Sequence, residues 1–178
     1  MGTLKHVTLL LMCFSLITLT SCSNDDDGGN NGGDPGGGNS GSEFLTAKID
    51  GTNFAAAQDP AVIVGAQSTN GVLAVQGGDN DGNTISITIS SYNGVGTYIT
   101  GDQLTNTNGL QYLVVNPAPT SWASNLATAA LGTLAPGTIE ITSDNGTTVE
   151  GTFSFEGYNA SDMTVKDITE GSFKADFD

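Results

Sequence analysis

Between Phe44 and Asp178, apolar residues alternate with Thr, Ser and Asn, and turn residues recur at short spacing. A period of two marks strands that bury one face. The pattern predicts an all-β domain, an antiparallel β-sandwich or partly open barrel built from hairpins, with about nine or ten strands. Turn chemistry then sets register, because residues opposite each other across a hairpin must share a face.

Asp50-Gly51 and Asn70-Gly71 suit two-residue type I′ turns. The first places Ile49 opposite Thr52, Ala47 opposite Phe54 and Leu45 opposite Ala56. The second sets Ala66 against Val75, Val64 against Gly77 and Ser68 against Leu73. Asp79-Asn80-Asp81-Gly82-Asn83 looks like part of a calcium loop. An EF-hand using Gly82 as its invariant glycine would start at Gly77 and need a glutamate at Thr88, and both positions fail. A three-residue loop with Gly82 left-handed instead pairs Gly77 with Ile85, Val75 with Ile87 and Leu73 with Ile89, so turn chemistry accounts for the acids. Asp79 and Asp81 remain weak candidates for a metal site of another geometry.

Around Asp144-Asn145-Gly146 two registers stay open. A three-residue loop puts Glu140 opposite Glu150, and a five-residue loop puts Thr152 there instead. Thr97–Thr100 and Leu110–Val115 read as strands, the second halted by Asn116-Pro117-Ala118-Pro119. Over 121–131 a helix capped by Ser121 and ending before Gly132 competes with a strand through Trp122 followed by a loop. Thr147–Tyr158 is the clearest long strand, with Val149, Phe153 and Phe155 inward and Glu150, Thr152, Ser154 and Glu156 outward. Phe173, Ala175 and Phe177 point inward on a closing strand.

The N-terminal region follows other rules. Lys5 and His6 precede an apolar run from Val7 to Leu19, and small residues follow it, an arrangement that predicts a secretory signal over residues 1–21, too short for a membrane span. Leu19-Thr20-Ser21-Cys22 resembles a bacterial lipobox, which implies acylation of Cys22, with palmitate among the chains. Residues 22–43 are nearly all Gly, Asn, Asp and Ser, and no large apolar side chain appears from Asp25 to Ser42, so they predict a disordered tether. As a random coil it would span about 25 Å, and roughly 70 Å when extended. Asp25, Asp26 and Asp27 read either as solvated linker charge or as a resemblance to the acidic export signal of surface lipoproteins.

Composition then narrows the chemistry. Removing residues 1–21 changes the formal charge from −15 to −16, since Lys5 is lost and no acid is. The remaining chain has no His and no Arg, and its bases are Lys48, Lys166 and Lys174. Nucleic-acid binding depends on clustered Lys and Arg, so it is excluded as an expectation. A Ser-His-Asp triad and ordinary zinc or haem sites lack their ligands, and no cofactor is implied. Two-carboxylate glycoside hydrolysis survives on inventory alone.

Ala47-Lys48-Ile49-Asp50-Gly51-Thr52-Asn53-Phe54, Gly96-Thr97-Tyr98, Gly151-Thr152-Phe153-Ser154-Phe155 and Ile168-Thr169-Glu170-Gly171-Ser172-Phe173 resemble small secreted lipoproteins of the Bacteroidota, mostly of domain-of-unknown-function type. That likeness implies location and fold, and it carries no catalytic residue. Trp122 and Tyr158 are the leading candidates for ligand contact, because aromatic faces stack on sugars and anchor interfaces; core packing is the competing role for each. The expected function is a lipoprotein of the cell envelope, anchored in the outer membrane through its lipid and in a form compatible with surface exposure. It would display a non-catalytic binding module for glycan or an envelope protein. A structural or adhesive component is the second possibility and a carboxylate-only hydrolase a remote third.

Overall fold

The computed structural model describes residues 43–57 and 64–178; Cys22, the signal segment and Asp25, Asp26 and Asp27 lie outside the described residues. Eleven strands form one antiparallel sheet curled into a half-barrel, so the partly open form of the expected architecture is the one adopted. The early hairpins follow their turn residues. β1 (Phe44–Ile49) turns at Asp50-Gly51 into β2 (Thr52–Ala55), and β3 (Gly65–Thr69) turns at Asn70-Gly71 into β4 (Val72–Gly78). All four turn residues have φ between 49° and 81°, as a type I′ turn requires. Ile49 pairs with Thr52, Ala47 with Phe54, and Ala66 with Val75. β5 (Thr84–Ile89) sets Ile85, Ile87 and Ile89 opposite Gly77, Val75 and Leu73.

Strand order then departs from chain order. β6 (Gly96–Thr100) leaves the path, and β7 (Gly109–Val114) takes the place beside β5, followed by β8 (Thr120–Ser124). β9 (Gly137–Asp144), β10 (Thr148–Asn159) and β11 (Thr164–Asp176) complete the sheet. The sheet forks on one edge of β10: residues 149–154 pair with β9, which carries β6, while Tyr158 pairs with Ala123 of β8. A buried polar seam fills the fork. The Thr100 and Ser124 hydroxyls lie 2.7 Å apart, and Ser124 Oγ accepts from Gly137 N at 3.3 Å. The sheet curls until its far edge returns toward its other end, where Asp178 N donates to Ala66 O at 3.0 Å and Ala57 N to Gly78 O at 2.8 Å.

The other edge of β10 pairs with β11 over its whole length, and here two Gly-x-Phe segments meet head to tail. Gly151 pairs with Phe173, and Phe153 with Gly171. Each glycine leaves room for the opposing ring. A Cβ on Gly151 would sit 2.8 Å from the Phe173 ring, and one on Gly171 would sit 2.6 Å from the Phe153 ring. The two rings then lie side by side, centroids 6.4 Å apart. Beyond this pair β11 carries a bulge, with three of its residues spanning two on each neighbour. Glu170 takes φ 51° within it and is held by Lys48 at 2.7 Å. The extra residue reverses the parity of the strand. Ile168, Lys166 and Thr164 therefore share the face of Phe173, and Val165 turns outward.

Both open questions of local structure resolve through tertiary contacts. The segment 121–131 uses a strand through Trp122 and then a helix, α1 (Leu126–Leu131), capped by Asn125 rather than Ser121 and closed by left-handed Gly132. The β9–β10 pairing places Glu140 opposite Thr152, and a bulge at Thr142 absorbs the odd residue. Glu150 is thereby set opposite Lys174, with which it pairs at 3.3 Å.

Gly171→Ala should cost about 1–3 kcal/mol, because the new methyl overlaps the Phe153 ring and carbonyl. A lower urea midpoint with an unchanged m-value would register it, and an unshifted midpoint would disprove the close-approach argument. Ser124→Ala should cost about 1–3 kcal/mol in the same assay, since it strips partners from the Thr100 hydroxyl and the Gly137 N–H in a dry site.

Candidate binding groove

Trp122 and Tyr158, the two aromatics expected to offer a ligand surface, lie on opposite faces of the sheet. Trp122 is a correction to that expectation. It points into the half-barrel and is 9% exposed. The reason is register: Trp122 pairs with inward-facing Tyr112, and the parity switch in β11 brings Lys166 and Thr164 against it. Its indole N–H donates to Thr164 Oγ1 at 2.8 Å, and Lys166 Nζ lies 4.9 Å from the ring centre. Phe54 meets Tyr112 edge-on at 6.1 Å, and Tyr112 stacks on Trp122 at 6.1 Å. These three rings act as core, capped by a cation.

The acids near that end are committed to turns and latches. One Asp79 oxygen accepts from Asp81 N and Asn83 N, at 2.9 and 2.8 Å, and the other accepts from the Asn83 amide at 2.9 Å. Asp79 thus organises its own loop, with Gly82 left-handed at φ 83°. Among the described residues, no group of three or more His, Cys, Asp or Glu side chains could hold a metal ion. Asp50 ties the first hairpin to β11: Oδ2 receives Lys166 at 2.7 Å and Oδ1 receives Asp167 N at 2.9 Å. The hydrogen bond from Lys166, joined by that from Asp167 N–H, holds the Asp50 carboxyl below its ordinary value. Burial pushes the nearby Tyr112 phenol upward, and the charges of Asp79 and Asp50 add to the shift.

Tyr92 and Tyr98 serve a loop. The Tyr92 hydroxyl donates to Asp144 at 2.5 Å, while Tyr98 donates to Gly94 O at 2.8 Å and accepts from Asn93 N at 3.0 Å. Burial first, then the Asp144 carboxylate, drives the Tyr92 phenol well above its usual range. A shallow groove over the outer face of β9, β10 and β11 contains Glu140 and Glu170 among Thr and Ser side chains. The ion pair with Lys48 engages Glu170.

A different groove, of about 570 Å³, crosses the outer face of β5, β7 and β8 beneath α1. Ser86, Thr88, Gln111 and Ala123 form its floor, and Asn108, Asn125, Leu126 and Ala127 are among its walls. No Asp, Glu or Lys lines it, in a chain of net charge −15. Its walls are braced from within. Asn108 Oδ1 accepts from Ser90 N at 2.9 Å, and its amide donates to Ile99 O at 3.0 Å. Asn125 Oδ1 accepts from Ala127 N at 2.8 Å, and the Thr128 hydroxyl meets Asn125 N at 2.8 Å. The floor is uncommitted: no side-chain hydrogen bond within the described residues engages Ser86, Thr88 or Gln111. Half-buried Tyr158 lies in register beside Ala123. Outward parity marked Tyr158 in the sequence. Ser86, Thr88 and Gln111 had no such signal, because only the pairing of β5 with β7, past β6, collects them.

Acid should weaken the Asp50 latch. A carboxyl held below its ordinary 3.8 in the folded chain adds stability above that value and loses it as the pH falls through the lowered folded pKa. Asp50→Asn should therefore flatten the fall in urea midpoint below pH 3.8. An acid profile identical to that of the parent chain would show that the latch contributes nothing.

No curated protein and no solved structure matches the chain. Residues 42–175 match a family described as Domain of unknown function (DUF6252), and the chain belongs to that family.

Proposed function

We propose that this chain is an envelope lipoprotein, anchored through acylated Cys22, that displays a non-catalytic β half-barrel as a binding module for a glycan or an envelope protein. The carrying observation is the outer-face groove, whose walls are fastened by internal hydrogen bonds while Ser86, Thr88 and Gln111 on its floor are uncommitted. A rigid wall around unengaged donors and acceptors lowers the ordering cost of binding. The polar inventory suits recognition better than catalysis, because residues 43–178 contain no His, Arg or Cys. A tether of about 20 residues would give the module reach beyond the lipid headgroups. Rows of outward Thr and Ser, such as Thr138, Thr152, Ser154 and Ser172, favour a structural or adhesive component as the second reading.

Cys22→Ser should move the protein from the membrane fraction to the soluble fraction with its β-type circular dichroism unchanged. Persistent sedimentation with membranes would overturn the anchor. For the module itself, a ligand that binds only the native state raises the unfolding midpoint. The soluble variant should therefore melt at higher temperature in the presence of its polysaccharide or protein ligand from an envelope extract. A midpoint unmoved by every extract fraction would favour the structural role.

A further inference from the structure

The groove continues into a row that runs across four strands. Ser86 of β5 pairs with Gln111 of β7, Gln111 with Ala123 of β8, and Ala123 with Tyr158 of β10. Three strand spacings make the row about 14 Å long. Side chains paired in this way share one face, so hydroxyl, amide, methyl and phenol ring follow one another along the row. Thr88 adds a second hydroxyl beside Ser86, and exposed Leu126 with Ala127 supplies an apolar wall.

Building on the binding-module reading, we infer that the groove binds a neutral oligosaccharide segment laid across the strands, with one sugar ring against Tyr158. Each sugar hydroxyl is both donor and acceptor, as are the side chains of Ser86, Thr88 and Gln111. Sugar rings also carry apolar C–H faces, which Tyr158 and the Ala123–Leu126–Ala127 surface can cover. Ala123 is the small residue that opens space between Tyr158 and Gln111. Charge selects the class of glycan. The groove has no cation to meet a carboxylate, sulfate or phosphate. All three lysines of the described residues are engaged elsewhere, with Glu170, Asp50 and Glu150. The acids of the surrounding surface would repel an anionic chain. An uncharged, hydroxyl-rich chain needs only the neutral hydrogen-bonding and apolar groups that the groove contains.

The test uses the full chain carrying Cys22→Ser, in affinity electrophoresis and titration calorimetry against soluble neutral polysaccharides (glucans, mannans, xylans, galactans) and anionic ones (polygalacturonate, heparin). At least one neutral polysaccharide should retard the protein and no anionic one should. Raising the salt from about 0.05 to about 0.5 M should leave binding unchanged, because no ion pair forms. Tyr158→Ala and Gln111→Ala should each weaken binding about tenfold, the size of a lost ring stack or hydrogen bond. Tyr158→Phe should retain most of it, since stacking needs the ring, and Thr152→Ala in the neighbouring groove should change nothing. Neutral binding that ignores both Tyr158→Ala and Gln111→Ala would overturn the assignment, as would binding confined to anionic chains. Absence of binding to every polysaccharide would also overturn it. In that event, capture of a defined envelope protein that Gln111→Ala abolishes would leave the binding-module reading standing. Failure of both assays would remove the two together.

Discussion

The pairing of two Gly-x-Phe segments across β10 and β11 is the constraint on which the rest of this sheet depends. Phe153 lies over Gly171 and Phe173 over Gly151, so two large rings occupy one patch of the interior without overlapping. A glycine in a strand normally weakens it. Here each glycine is covered by a cross-strand ring, which restores burial and admits one register, because a slip of one residue would drive a ring into backbone. β1 extends the sheet from the free edge of β11, and β9 and β8 share the opposite edge of β10. The long hairpin is therefore the spine from which both arms of the fork are placed.

The bulge after the Phe173 side of that spine has consequences at both faces. By reversing parity it turns Lys166 and Thr164 inward, where one covers the Trp122 ring and the other satisfies its N–H. The same reversal turns Val165 outward beside Tyr158. Lys166 also meets Asp50, so the first hairpin, the bulged strand and the aromatic core are joined by one ammonium group. An exposed pair of this kind contributes little by itself. Its value lies in position, since it ties a turn to a strand more than a hundred residues away in the chain.

Charge is distributed with equal consequence. The described lysines are all paired with acids, and no Asp, Glu or Lys lines the groove beneath α1. On the proposed reading, a strongly acidic domain with a neutral groove would discriminate by repulsion outside the site and by hydrogen bonding within it.

The alternation of apolar and polar residues by itself determined the strand content, and Asp50-Gly51, Asn70-Gly71 and Asn80-Asp81-Gly82 determined three hairpin registers. Those features rest on interactions within a few residues, where turn geometry leaves one solution. Tyr158 was legible for the same reason, through its outward parity on an unbroken strand. Trp122 was not, because its burial depends on Tyr112 from a neighbouring strand and on a bulge in β11. The Glu140 register likewise depended on Thr142 bulging to release a like-charge contact. The groove is the furthest from the sequence: Ser86, Gln111, Ala123 and Tyr158 become neighbours only when β6 leaves the strand path and β10 forks. Local rules settle the faces along an unbroken strand, whereas long-range pairing and the bulges it imposes decide where that parity reverses and which side chains share a face.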